Sequence, residues 1–313
     1  MKDKIGIFLP GANGDIMQAT SVLKYKDVLW PDKDIVWFCS APNNEILKYN
    51  DAILEIRHWP HGWGLPERCL LENPSAIADG KPLWADFSTL KDSNNHLDQG
   101  HKHLFESTKD LERGYFPAPW MMSVEQRHGI DYPNVSRKVF GADPSWEWHP
   151  YLGFLDGEEK AVADFCYGLP YKKTVMLETS FYSGKSPWDD DLIRETIALC
   201  RQKLGSCNFI FACLEDNSRF FDVGVVSCSQ FTVRQTALVN NYCDLFIGVS
   251  SGISQAVNCW GNKPTPKIQY CGSFTMSSIS IANGPFELVT TDPPSLNHRE
   301  QFKTKLSDTL DKI

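Results

Sequence analysis

No stretch of the 313-residue chain reaches the roughly 18 uninterrupted apolar residues that a bilayer-spanning helix needs, so no membrane span is expected. Basic residues are in deficit: 31 Lys and Arg against 39 Asp and Glu leave a net charge of −8. Strong non-specific binding to nucleic acid or anionic membrane selects for a large basic surface, which this balance does not supply. The 21 Gly and 19 Pro follow no period, which excludes collagen-like and low-complexity chains. A C-x-x-C pair is missing, as is any Cys/His spacing of the zinc-site kind. The 10 cysteines are therefore expected to be buried free thiols of a cytoplasmic protein. His101 and His103 lack a third ligand and read as exposed histidines, so neither a metal nor a cofactor is expected.

The opening Met1-Lys2-Asp3-Lys4 leads straight into the apolar run from Ile5 to Leu9. That run is too short for a signal segment and reads as a strand, so no targeting signal is expected. Hydrophobic residues at 42% are enough for a sizeable core, and the length favours two domains, placed at 1–155 and 156–313. From the start the signals alternate: strand over 5–9, helix over 16–29, strand over 35–39, helix over 43–49, strand over 53–56. That order indicates a parallel sheet with right-handed crossovers. Between 57 and 150 the pattern blurs into aromatic- and histidine-rich sequence, with helices placed loosely over 102–112 and 123–128. Alternation resumes after a helix over 156–170: strand 174–177, helix 188–204, strand 208–213, strand 223–226, helix 232–240, strand 244–248, helix 252–260, strand 266–270. This is a second Rossmann-like half. An amphipathic helix over 299–310 carries Phe302, Leu306 and Leu310 on one face.

Three loops carry residues suited to chemistry. Gly11-Ala12-Asn13-Gly14-Asp15 follows the first strand, where open α/β sheets bind ligands. Asp15 there is either a general base or a cap of its own helix. Glu178-Thr179-Ser180-Phe181-Tyr182-Ser183-Gly184-Lys185-Ser186 follows the first strand of the second half. Its hydroxyls, glycine and lysine suit a phosphate group, and a plain surface loop is the alternative. Asp189-Asp190-Asp191 reads as a set of helix-dipole complements rather than a metal cluster. Ser250-Ser251-Gly252-Ile253-Ser254-Gln255 is a small, hydroxyl-rich helix start, either an anion site or an N-cap. Neither G-x-G-x-x-G nor G-x-x-x-x-G-K spacing is present, so dinucleotide and P-loop readings are not supported.

Taken in order, these loops resemble those of the GT-B glycosyltransferases of the heptosyltransferase type, the ADP-heptose enzymes of lipopolysaccharide core synthesis and their protein-modifying relatives. The similar segments are Ile7 to Ile16, Lys185-Ser186-Pro187-Trp188, and Cys243 to Gly252 with Arg234 to Val239 before it. Ser250 and Gln255 depart from the Asp and His that many members carry at those places. The resemblance implies an α/β chain with two facing Rossmann-like domains and a C-terminal helix (296–313) crossing back to the first. It implies an inverting transfer of sugar from a nucleoside-diphosphate donor to an acceptor hydroxyl on a glycan, protein or nucleobase, with Asp15 as base. The donor-binding set it implies is Gly14, Thr179, Ser180, Lys185, Glu215, Ser250, Ser251, Gly252 and Ser254. The alternatives are transfer of a different sugar to polysaccharide, protein or modified phage DNA, an epimerase of the same fold, and a non-catalytic nucleotide-sugar-binding protein.

Overall fold

The computed structural model describes residues 4–9, 13–59, 84–85, 108–115, 117, 132–179, 188–212, 217–220, 222–249, 251–271, 286–290 and 298–313. The chain divides into two compact units, Met1–Gly153 and Phe154–Ile313.

In the first unit β1 (Lys4–Phe8), β2 (Asp34–Cys39), β3 (Ile53–His58), β4 (Trp84–Ala85) and β5 (Arg113–Tyr115) form a five-stranded sheet in the order β3-β2-β1-β5-β4. All neighbours are parallel except β4, which pairs antiparallel with β5 at the edge. Burial of Ile5, Ile7, Phe8 and the whole of Ile35 to Cys39 explains why these strands read as continuous apolar runs. Phe8 stacks on Phe38 at 4.2 Å between ring centroids, and Trp59 meets Phe8 edge-on at 5.6 Å. Gly6 leaves the room for this packing: a methyl group there would lie 2.6 Å from the Phe8 ring and 2.8 Å from Leu111.

The helix expected over 16–29 is divided into α1 (Asn13–Thr20), a 3-10 stretch Ser21–Tyr25 and α2 (Lys26–Leu29). The Thr20 hydroxyl turns back to the Met17 carbonyl at 2.6 Å, a local bond that competes with the helical ladder. The helix expected over 43–49 is a 3-10 segment, Ala41–Leu47, with Pro42 at its start. Of the helix expected over 102–112, the described end is a turn in which the Leu111 N–H donates to the Thr108 carbonyl at 2.9 Å. The rest of it, and the helix expected over 123–128, lie outside the described residues. The strand β5 and helix α3 (Tyr132–Phe140) were not anticipated from sequence.

In the second unit α4 (Asp156–Tyr167) leads into β6 (Lys173–Leu177), and β6 is followed by α5 (Asp190–Leu204), β7 (Cys207–Phe211) and β8 (Val225–Ser227). Then come α6 (Val233–Val239), β9 (Leu245–Gly248), α7 (Gly252–Ala256), β10 (Lys267–Cys271), β11 (Phe286–Thr290) and α8 (His298–Leu310). The sheet is six-stranded, ordered β11-β10-β9-β6-β7-β8, and parallel throughout. Gly205 at φ 73° ends α5, the left-handed conformation for which glycine is suited. The helix expected over 252–260 stops at Ala256. Phe302, Leu306 and Leu310 of α8 insert into the core beside Trp188, Ile193 and Tyr270. That apolar face of the helix is buried in the second unit.

α4 and α6 are clamped by charge. The Arg234 guanidinium, fully buried, makes two hydrogen bonds to the Glu158 carboxylate, which also accepts from Gln235 Nε2 at 3.1 Å. Burial pushes the Glu158 carboxyl up, but its bonds to Arg234 and the Leu155 N–H outweigh that and hold it below its ordinary value. Six described cysteines are buried and Cys166 half-buried, all as free thiols, as the composition led one to expect. Among the described residues no helix is long and apolar enough to cross a membrane.

Candidate functional site

The second sheet has one point where its connections reverse direction. From β6 the chain moves outward to β7 and β8, then returns to the other side of β6 to begin β9 and moves outward through β10. Crevices at such switch points, beyond the carboxyl ends of the strands, are where open α/β sheets bind ligands. The register pairs Leu177 with Ile247, so Glu178-Thr179 and Gly248-Val249 leave the sheet side by side.

The exit of β6 is polar and buried, and the turn after β9 brings the buried Ser254 beside it. Glu178 is 1% exposed and Thr179 is fully covered. The Glu178 N–H donates to the Ile247 carbonyl at 2.8 Å, carrying the ladder one residue past β6. Ser251 is the N-cap of α7 and its Oγ accepts from the Ser254 N–H at 3.1 Å. Ser254 is buried on the same turn; its hydroxyl lies 3.2 Å from Glu178 Oε2 and also contacts the Val249 carbonyl. That carbonyl takes a further hydrogen bond from Gln269 Nε2 of β10 at 3.3 Å. Thr179, Ser251, Gly252 and Ser254, all expected in the donor-binding set, are therefore brought to the ends of two adjacent strands. Ser180, Lys185, Glu215 and Ser250 lie outside the described residues.

Glu178 was quoted in the loop but not singled out as a site residue. Its significance comes from Ser254, 76 residues away, and only the sheet order brings them together. Gly248 completes the fit, because a methyl group there would lie 3.1 Å from Glu178 Oε2 and 2.5 Å from the Phe246 ring.

In the first unit the corresponding position is the end of β1, between β2 and β5. Gly14 and Asp15 occupy the first turn of α1 there, both half-buried. The buried Oδ1 of Asn13 and Nε2 of Gln18, on the same helix, have no hydrogen-bond partner among the described residues.

The acidic run after Trp188 is held by protein groups. Asp189 caps α5 by accepting from the Leu192 N–H at 2.9 Å and pairs with Arg299, while Asp190 takes two bonds from Arg219, at 2.8 and 2.7 Å. Among the described residues no group of three or more His, Cys, Asp or Glu is placed to hold a metal. Burial pulls the Lys267 ammonium down to about 8, but Lys267 opens β10 at the other end of the strands and donates to the Thr265 carbonyl at 3.1 Å. It belongs to the packing of the sheet rather than to the switch point.

No protein-family model and no curated protein sequence matches the chain. Solved structures do. A glycosyl transferase family 9 protein from Veillonella parvula is 14% identical at a TM-score of 0.63, over 99% of this chain and 97% of its own. The ADP-heptose lipopolysaccharide heptosyltransferase II of Escherichia coli is 11% identical at 0.60, over 99% of each chain. An Escherichia coli heptosyltransferase solved with ADP is 12% identical at 0.53, over 99% of this chain and 100% of its own. The chain has the GT-B fold of these proteins.

Proposed function

We propose that the chain is an inverting glycosyltransferase that moves a sugar from a nucleoside-diphosphate donor to an acceptor hydroxyl. The observation that carries this reading is the switch point between β6 and β9. Buried polar residues from both strand ends converge there, on a fold shared with heptosyltransferases.

In this reading the donor diphosphate lies over the exits of β6 and β9. Lys185 and the backbone around Ser251 and Gly252 offset the charge that develops as the diphosphate leaves, a term often the largest in such catalysis. Asp15 takes the proton of the acceptor hydroxyl while its oxygen forms the new bond to the anomeric carbon and the bond to the diphosphate oxygen breaks. Attack from the face opposite the leaving group inverts the anomeric centre. No step requires a metal ion. The similar structures named for ADP-heptose or solved with ADP make ADP-heptose the first donor to try.

The test is release of nucleoside diphosphate from a panel of nucleotide sugars, first in water and then with candidate acceptors. Turnover of one donor with an inverted product supports the reading. Tight binding of a nucleotide sugar with no turnover under any acceptor would identify a binding protein instead.

A further inference from the structure

We infer that Glu178 is a positioning residue of the second unit's strand-end site, locking the exit of β9 and the first turn of α7 to the exit of β6. The inference rests on the donor-site reading above and adds a residue to it.

The contact between Glu178 and Ser254 sits in a dry place. Glu178 is 1% exposed and Ser254 is fully buried, so neither can use bulk water in place of a lost partner. The Ser254 hydroxyl has one proton and lies against two acceptors, the Val249 carbonyl and Glu178 Oε2 at 3.2 Å. The carbonyl can only accept, and it already takes the Gln269 amide at 3.3 Å. The hydroxyl thereby spans the exit of β9 and the exit of β6. A glutamine amide at 178 keeps a polar partner for that hydroxyl, since its two ends can accept or donate. The set ties together three strands, β6 through Glu178, β9 through Val249 and β10 through Gln269, at the edge where a ligand would sit. Gly248 admits the carboxyl by having no side chain at the contact. Ordinary core packing beneath the two exits is supplied by Leu177 and Ile247, both fully buried.

The experiment measures binding of ADP and of UDP by calorimetry, beside thermal unfolding, for the full chain and four variants. Wild-type protein binds at least one of the two nucleotides if the donor-site reading holds; failure to bind either removes that reading before any variant is compared. Glu178→Ala and Ser254→Ala are expected to weaken the bound nucleotide by about 10-fold or more, the scale of a buried group left without its partner. Glu178→Gln is expected to stay within about 3-fold of wild type, because the amide can still hydrogen-bond the Ser254 hydroxyl. Val162→Ala, a buried residue of the other core cluster of this unit, is the stability control. It should lower the unfolding temperature without moving nucleotide affinity. If Glu178→Ala does not fold, Ser254→Ala reports on the same contact. Alanine variants that bind like wild type, a glutamine variant as weak as alanine, or an equal loss in Val162→Ala would each overturn the inference.

Discussion

At the carboxyl end of the second sheet the polar groups are joined to one another: Glu178, Ser254, Val249 and Gln269 are linked by hydrogen bonds under the two strand exits. At the matching place in the first unit, Asn13 and Gln18 of α1 hold buried polar atoms that meet no partner among the described residues. Under the glycosyl-transfer reading the difference is functional. A donor diphosphate is the same in every cycle and suits a site whose shape is set beforehand. An acceptor carries many hydroxyls and suits an edge with open hydrogen-bonding groups.

The contrast can be broken most severely by loosening the second unit. Glu158→Ala leaves the fully buried Arg234 without its carboxylate and is expected to cost about 3–5 kcal/mol. Arg234→Ala should cost less, because the Glu158 side chain is 13% exposed and its carboxylate can reach water. Chemical denaturation of the two variants checks the order; equal losses would mean that the pair contributes mainly through shape.

The next test is on the first unit. Asp15→Asn should cut turnover by about 10²-fold or more while nucleotide affinity stays put, the signature of a lost general base. Full activity in that variant would reduce Asp15 to a helix-end carboxylate and shift the chemistry elsewhere. Lys185→Ala acts on the other side of the contrast and should weaken nucleoside-diphosphate binding by about 1.5–3 kcal/mol, as for a charged hydrogen bond. Unchanged affinity by calorimetry would remove Lys185 from the donor site. The smallest effect is expected from chelation. With Asp189 and Asp190 engaged by Arg299 and Arg219, excess EDTA should leave activity unchanged to within about twofold, since a lysine and backbone N–H groups can offset much of the leaving charge. Complete loss restored by Mg²⁺ or Mn²⁺ would overturn the metal-free mechanism.

How far the sequence could be read follows from what makes a signal local. Strands such as Ile35 to Cys39 are covered on both faces, so they appear as apolar runs that nothing else resembles. Arg113–Tyr115 could not be read this way. Three residues, one charged and one glycine, carry no period, and β5 exists because β1 and β4 pair with it. Helix α3 did announce itself through Pro133 in its first turn, a start signal that went unused in a blurred region. The break in the helix from Asn13 to Leu29 turns on one hydroxyl, that of Thr20, which periodicity does not register. The loops after β1, β6 and β9 were legible because glycines and hydroxyls between a strand and a helix are a local pattern. Glu178 was not, since its meaning depends on a serine 76 residues away and on a strand order no single segment encodes.

The buried thiols have a consequence of their own. Burial pushes Cys39 up to about 11 and Cys259 to about 12, and raises Cys243 well above its ordinary value. Only the thiolate attacks an alkylating reagent, so in the closed protein these sulfurs are doubly protected, by cover and by protonation. Each becomes reactive when its surroundings open. Cys39 on β2 and Cys243 before β9 thus act as chemical clocks built into the two units. Their relative labelling rates read out which half of the molecule breathes more often, without any probe being introduced.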